Sequence, residues 1–191
     1  MKLLKDKILS AGNLIGKDVI KVDNFLNHQI DIELFNEMGK EFQKRFKNKE
    51  INKILTVEAS GIGIACIVAQ YFNNCPVVFA KKHEAVNMDM DTYESEVYSF
   101  TKKKSYKVRV TKKFINEGDK ILIIDDFLAN GQAVLGLVNV VKQGSGEVAG
   151  VGIAIEKSFQ EGRKKIEDIG IQVESLARIK GFENNTIIFH E

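Results

Sequence analysis

The chain has 191 residues, 44% hydrophobic and 28% charged, with 28 Lys and Arg against 26 Asp and Glu and a formal net charge of +2. That balance suits one sizeable globular domain and excludes disordered and fibrous classes. So small a net charge gives no field for nucleic acid, two cysteines cannot build a disulfide framework or a metal-ligand spacing, and no apolar run reaches membrane-span length. The Lys-rich start is not followed by a signal core, so a cytoplasmic enzyme is the expected class. Cys66 lies in an apolar helical pattern and reads as core.

In chain order, residues 2–11 read as a short amphipathic helix, and Asp18 to Asp23 alternates as a strand does. Asp31 suits the cap of a helix carrying Ile32, Phe35, Met38, Phe42 and Phe46 at helical spacing. Lys53 to Val57 is a buried-strand pattern, followed by Ala59-Ser60-Gly61-Ile62-Gly63 and an apolar helix to Phe72. Pro76 to Ala80 is a third strand. Residues 81–95 are polar and weakly patterned, as a long mobile loop would be. Val97 to Phe100 and Tyr106 to Thr111 alternate like an exposed two-stranded ribbon. Ile121 to Ile124 is the central strand, with a helix after it to about Gln143. Glu147 to Ile155 is a further strand, Phe159 to Ile169 a helix, and strands near Val173 and Ile187 close the chain. Strands alternating with helices predict an α/β fold of parallel units with right-handed crossovers.

Chemistry concentrates in Ile121 to Ala133. Four aliphatic residues lead into Asp125 and Asp126, then a short loop holding Gly131, then an apolar helix from Ala133. Ligands of an open parallel sheet bind beyond the carboxyl ends of its strands. A glycine there lets backbone N–H groups close on a phosphate at a helix start. An acid pair for hydroxyls beside a phosphate cradle is what a ribose 5-phosphate requires. The same two acids also suit a helix cap with a solvated neighbour. Ser60-Gly61-Ile62-Gly63, after another strand, is a second glycine-rich anion site or a plain tight turn. His28, His83 and His190 have no partner pattern suggesting catalysis, and Phe25, Phe127 and Phe159 suit either a stacking face or the core.

The segment Asp125 to Ala133 resembles the ribose-phosphate signature of type I phosphoribosyltransferases, with Asn130 and Ala133 in place of two threonines. Val22 to Asp31, Val97 to Lys102, Ile155 to Gln160 and Val173 to Ile179 extend the likeness over the whole chain, toward the bacterial, xanthine-using branch of that family. The resemblance implies a twisted, mainly parallel sheet flanked by helices, in one domain over residues 1–191. It also implies a hood from about 1–30 and 170–191 and a flexible loop on the ribbon. It implies transfer of the 5-phosphoribosyl group of phosphoribosyl pyrophosphate (PRPP) to xanthine, giving xanthosine 5-monophosphate and pyrophosphate in purine salvage. Mg²⁺ would come bound to PRPP, the protein would supply no metal site, and the assembly would be a homodimer.

The implied site is specific. Asp125 and Asp126 would hold the ribose hydroxyls, and Ala129, Asn130, Gly131, Gln132 and Ala133 the 5-phosphate. Ser60, Gly61, Lys81 and Lys82 would face the pyrophosphate; the lysines also suit a solvated loop end. Ile20, Asn27 and Lys157 would hold xanthine, Ile20 standing where the family has leucine. Tyr98 and Ser99 would belong to the flexible loop. Family members for hypoxanthine and guanine commonly carry a carboxylate where Ala129 stands. Xanthine is partly anionic near neutral pH, so a lysine holding the anion makes a separate base less necessary. Two alternatives stay open: another purine specificity, and a PRPP-sensing regulator without catalysis. The second would usually append a DNA-binding domain, for which 191 residues leave no room.

Overall fold

The computed structural model describes residues 1–16, 19–82, 91–99, 104–184 and 186–191, with Ser99 described by its backbone alone. Helix α1 (Lys2–Ala11) buries Leu4 and Ile8, and a hairpin of β1 (Asn13–Ile15) and β2 (Val19–Lys21) follows. A short π-helical turn, Asp23–Asn27, leads to α2 (Ile32–Arg45). The Asp31 carboxylate accepts from the Leu34 N–H at 3.1 Å, as the sequence predicted, and also pairs with Lys7 of α1 at 2.8 Å. Next come β3 (Lys53–Val57), α3 (Ser60–Gln70), β4 (Val77–Ala80), and the ribbon of β5 (Thr92–Ser99) and β6 (Lys104–Thr111). A 3₁₀ turn, Lys112–Phe114, precedes β7 (Lys120–Leu128) and α4 (Gln132–Gln143). The chain ends through β8 (Glu147–Lys157), α5 (Gly162–Glu167), β9 (Val173–Glu183) and β10 (Thr186–Phe189).

Six strands form the main sheet in the order β10-β9-β8-β7-β3-β4. All its pairs are parallel except β10 with β9. Alternation along β7 divides the interior. Leu122 and Ile124 face the layer of α1, α2 and α3, while Ile121 and Ile123 face α4 and the ribbon. A strand covered on both faces needs apolar residues at every position, which explains the unbroken run in the sequence.

Several local expectations change. Both acids lie within β7 rather than past its end, because β7 keeps pairing with β8 as far as Leu128 with Glu156. The ribbon is not free on both faces: Val97, Val108 and Val110 are buried, and Asn139 of α4 donates to Ser95 Oγ at 3.2 Å. The helix expected over 159–169 is only α5, since Phe159 stands exposed in the turn before it. Cys66 is exposed, on the outer side of α3, and is not core. The expected hood shares residues 173–183 with the main sheet. Asp18, His83, residues 84–90, Phe100 and Thr101–Lys103 lie outside the described residues.

Candidate active site

Strand β7 delivers the acid pair. Asp125 is buried, opposite Ile153 of β8, and its Oδ1 accepts from the Asp126 N–H at 2.9 Å. Asp126 Oδ1 accepts from the Phe127 N–H at 3.0 Å. Burial, then the adjacent Asp126 charge, pushes the Asp125 carboxyl well above the ordinary carboxylate range, while Lys82 pulls it down. The pair is therefore not a simple solvated cap. It holds poorly solvated charge that hydroxyl donors or a cation would relieve.

Directly after it, Phe127 to Val134 line a cavity of about 390 Å³. Gly131 has φ 78° and caps α4 with no side-chain hydrogen bond, so the first-turn N–H groups of a twelve-residue helix face that space. The left-handed backbone and a crowded neighbour explain the glycine: an added Cβ would lie 3.0 Å from Gly162 Cα. The Gly162 N–H donates to Ala129 O at 3.0 Å, tying the loop to the turn before α5. All five residues expected at the phosphate, Ala129, Asn130, Gly131, Gln132 and Ala133, line this one cavity.

Ser60 and Gly61 open α3 rather than standing in a loop before it. A Cβ on Gly61 would fall 2.1 Å from Thr56 Oγ1 and 3.4 Å from Asp125 Oδ1, so only glycine lets this helix start approach the acid pair. The Glu58–Ala59 peptide just before it is cis. Lys82 sits with its ammonium 5.5 Å from the Tyr106 ring centre, and its backbone N–H is held by Glu58. Tyr106 in turn lines the cavity, and burial, then the Asp125 charge, raises its phenol. Lys81 bridges backbone to backbone with Arg109 at 2.9 Å in both directions.

The residues expected around the base are divided. Lys157, at the end of β8, lines the cavity, as do Phe127 and Tyr98. Ile20 is 7% exposed and belongs to the core, while Val19 beside it faces the cavity. Strand alternation sends neighbours to opposite sides, so a one-residue error in facing is easily made from sequence. Asn27 is exposed at the end of the π-helical turn and does not line the cavity. Of the aromatics, Phe25 is core, and Phe159 packs edge-on against Phe182 at 5.8 Å rather than lining the cavity.

Two further features escaped the sequence. Gln160 lines the cavity with a buried, unpartnered Oε1. Behind it, Glu156 has a side chain only 2% exposed, gripped by Arg163 at 2.7 Å and Arg178 at 3.2 Å. Burial raises its carboxyl, but Arg163, Ser175 and Arg178 outweigh that and leave it below its usual range. The run Ile155 to Gln160 carried both residues, but adjacency in sequence does not reveal that Arg163 and Arg178 converge on one carboxylate. Among the described residues, no three His, Cys, Asp or Glu cluster to hold a metal ion, and no helix is long and apolar enough to cross a membrane.

The phosphoribosyl transferase domain family matches residues 21–185. A xanthine phosphoribosyltransferase of Clostridium novyi (strain NT) is 67% identical over 189 residues, covering 99% of each chain. Xanthine phosphoribosyltransferase 2 of Clostridium botulinum (strain Langeland) is 66% identical, covering 99% of this chain and 100% of its own. Among solved structures, adenine phosphoribosyltransferase of Rhodothermus marinus superposes with a TM-score of 0.76 at 19% identity, over 94% of this chain and 100% of that one. A Trypanosoma brucei enzyme of the same name, in complex with AMP, pyrophosphate and ribose-5-phosphate, gives 0.75 at 19% identity, over 92% and 79%. At such identities the structural likeness shows the fold alone.

Proposed function

The chain belongs to the phosphoribosyl transferase family, and from that premise we propose that it transfers the 5-phosphoribosyl group of PRPP to xanthine, releasing pyrophosphate. The product is xanthosine 5-monophosphate, and the role is purine salvage in the cytoplasm. The observation that carries this reading is one cavity lined at once by the Ala129–Ala133 loop at the start of α4 and by Lys157. One cavity thereby offers N–H donors for a phosphate and a cation for an anionic purine.

C1 of the ribose gains positive charge as pyrophosphate leaves, so the protein must position, screen and exclude water. Asp125 and Asp126 accept the ribose hydroxyls, and their charge favours the cationic centre. The backbone of Ala129, Asn130, Gly131, Gln132 and Ala133 donates to the 5-phosphate. Ser60 and Gly61, with Lys81 and Lys82, receive the leaving pyrophosphate. Mg²⁺ arrives as part of the substrate, chelated by the diphosphate, and screens its charge. Lys157 holds a carbonyl of the xanthine anion, with Val19 lining the same cavity from the hood side. Tyr98 and Ser99 belong to the loop that closes over PRPP. A homodimer completes the proposal.

Purified protein with PRPP, Mg²⁺ and each purine tests this by pyrophosphate release. Xanthine should give the highest kcat/KM. A preference for adenine would overturn the specificity, and no product from any base would favour a PRPP-sensing regulator.

A further inference from the structure

We propose that Tyr106 is a positioning residue for Lys82: its ring face holds the lysine ammonium beside the acid pair, preset for the diphosphate of PRPP. The inference rests on the reading that Lys82 receives the pyrophosphate. The Lys82 ammonium lies 5.5 Å from the centre of the Tyr106 ring, within the reach over which an aromatic face attracts a cation. Tyr106 also lines the cavity, and the charge of Lys82 acts on the buried Asp125 carboxyl. Ring, ammonium and acid therefore stand together.

Backbone contacts fix both ends of this arrangement. Lys81 and Arg109 exchange two hydrogen bonds at 2.9 Å, which ties the end of β4 to β6, and Glu58 accepts the Lys82 N–H. On the ribbon, Tyr106 pairs with Val97 and lies two residues from the buried Val108, so the three share one face. A Cβ on Gly136 of α4 would fall 2.5 Å from Val97 and 3.4 Å from Val108, so α4 is pressed against that face.

The ring is thus anchored, and the flexible part is the four-carbon stem of Lys82. An unheld lysine gives up rotamer freedom on meeting an anion, which weakens the contact. A ring that restricts the stem beforehand removes part of that cost. Attraction to a ring face needs no hydrogen-bond acceptor, so the ammonium keeps its N–H donors for phosphate oxygens.

Tyr106→Leu and Tyr106→Met remove the ring, and Tyr106→Phe keeps it. Either ringless variant should raise KM for PRPP and the inhibition constant of pyrophosphate together, by about 3- to 10-fold, the range of one partly desolvated cation–ring contact. KM for xanthine should stay within about twofold. The Phe variant should recover both constants to within about twofold of wild type. In a Lys82→Met background, Tyr106→Leu should add nothing, because the ring acts only through the ammonium. Equal losses in the Phe and Leu variants, or a full Leu effect without Lys82, would overturn the assignment. Lys82→Met alone separates the two claims. If it weakens PRPP and pyrophosphate binding while the ringless variants do not, only Tyr106 falls; if it leaves both unchanged, the pyrophosphate reading beneath falls with it.

Discussion

Lys157 lines the cavity and is the residue on which we propose that base choice turns. If its ammonium holds anionic xanthine, deleting the charge should hurt xanthine more than guanine or hypoxanthine. A charged hydrogen bond is worth about 1.5–3 kcal/mol, roughly ten- to a hundredfold in efficiency. Lys157→Met keeps the stem, so packing should survive. Wild-type preference for xanthine should grow as pH rises through xanthine's own ionisation, and the Met variant should lose that dependence in kcat/KM profiles. An equal fall for every purine with weaker PRPP binding would make Lys157 a phosphate ligand. The acid pair carries a prediction of opposite sign for stability and activity. The Asp125 carboxyl is raised in the folded protein by burial and by Asp126. Stability from a raised group is fully present below the unfolded value of 3.8 and is lost as pH rises through the folded value. Asp125→Asn should therefore raise the Tm of ligand-free protein at neutral pH and flatten its pH dependence. Asp126→Asn should leave Tm unchanged or higher. Both should lower kcat/KM for PRPP by a few kcal/mol, on the order of lost transition-state contacts.

At the level of elements, three junctions decide how the site is held. Gly131 joins β7 to α4 with φ 78°, and its neighbour Gly162 stands close. Gly131→Ala should cost about 1–3 kcal/mol in urea titrations and raise KM for PRPP, since the loop must shift off its strained backbone. The Glu156–Arg163 pair ties β8 to α5 and β9: Arg163 also donates to Val173 O at 2.8 Å and Ser175 Oγ at 3.2 Å. Arg163→Met would leave a nearly buried carboxylate with only Arg178 and Ser175, costing about 3–5 kcal/mol. Adding Glu156→Gln should recover much of that loss in the same titration. The ribbon answers to acid. Lys107 and Arg109 hydrogen bonds hold Glu94 down to about 2. That contribution is present above the unfolded value of 4.5 and fades as pH falls toward the folded value, so amide exchange in β5 and β6 should quicken there first. Because Glu94 is about a third exposed, water screens the pair and the change should be modest.

Over the whole molecule, the sheet separates two apolar layers, one under α1 to α3 and one under α4 and the ribbon. The site lies at the carboxyl ends of the parallel strands β3, β7 and β8, as an open α/β sheet dictates. The proposed homodimer makes a separate prediction: light scattering during size exclusion should give twice the 21.5 kDa chain mass. A single-chain mass that persists at assay concentrations would remove the dimer while leaving the catalytic reading in place.

Local patterns determined a large share of this protein. The aliphatic run of β7, the Asp31 cap and the Gly131 turn each follow from residues within a few positions of one another. So does the contiguous run Ala129 to Ala133, and for that reason its five residues line one cavity. Facing and convergence were decided only by the tertiary structure. Which of Val19 and Ile20 meets the cavity depends on how the β1–β2 hairpin lies on the core, and a one-residue slip reverses it. Cys66 sits in an apolar helix but on its outer side. The Glu156 cluster joins residues from β8, α5 and β9, and the buried Gln160 oxygen is visible only once the turn around it is packed. Periodicity reports what is near along the chain, whereas burial and unmet hydrogen bonds depend on what the fold brings from elsewhere.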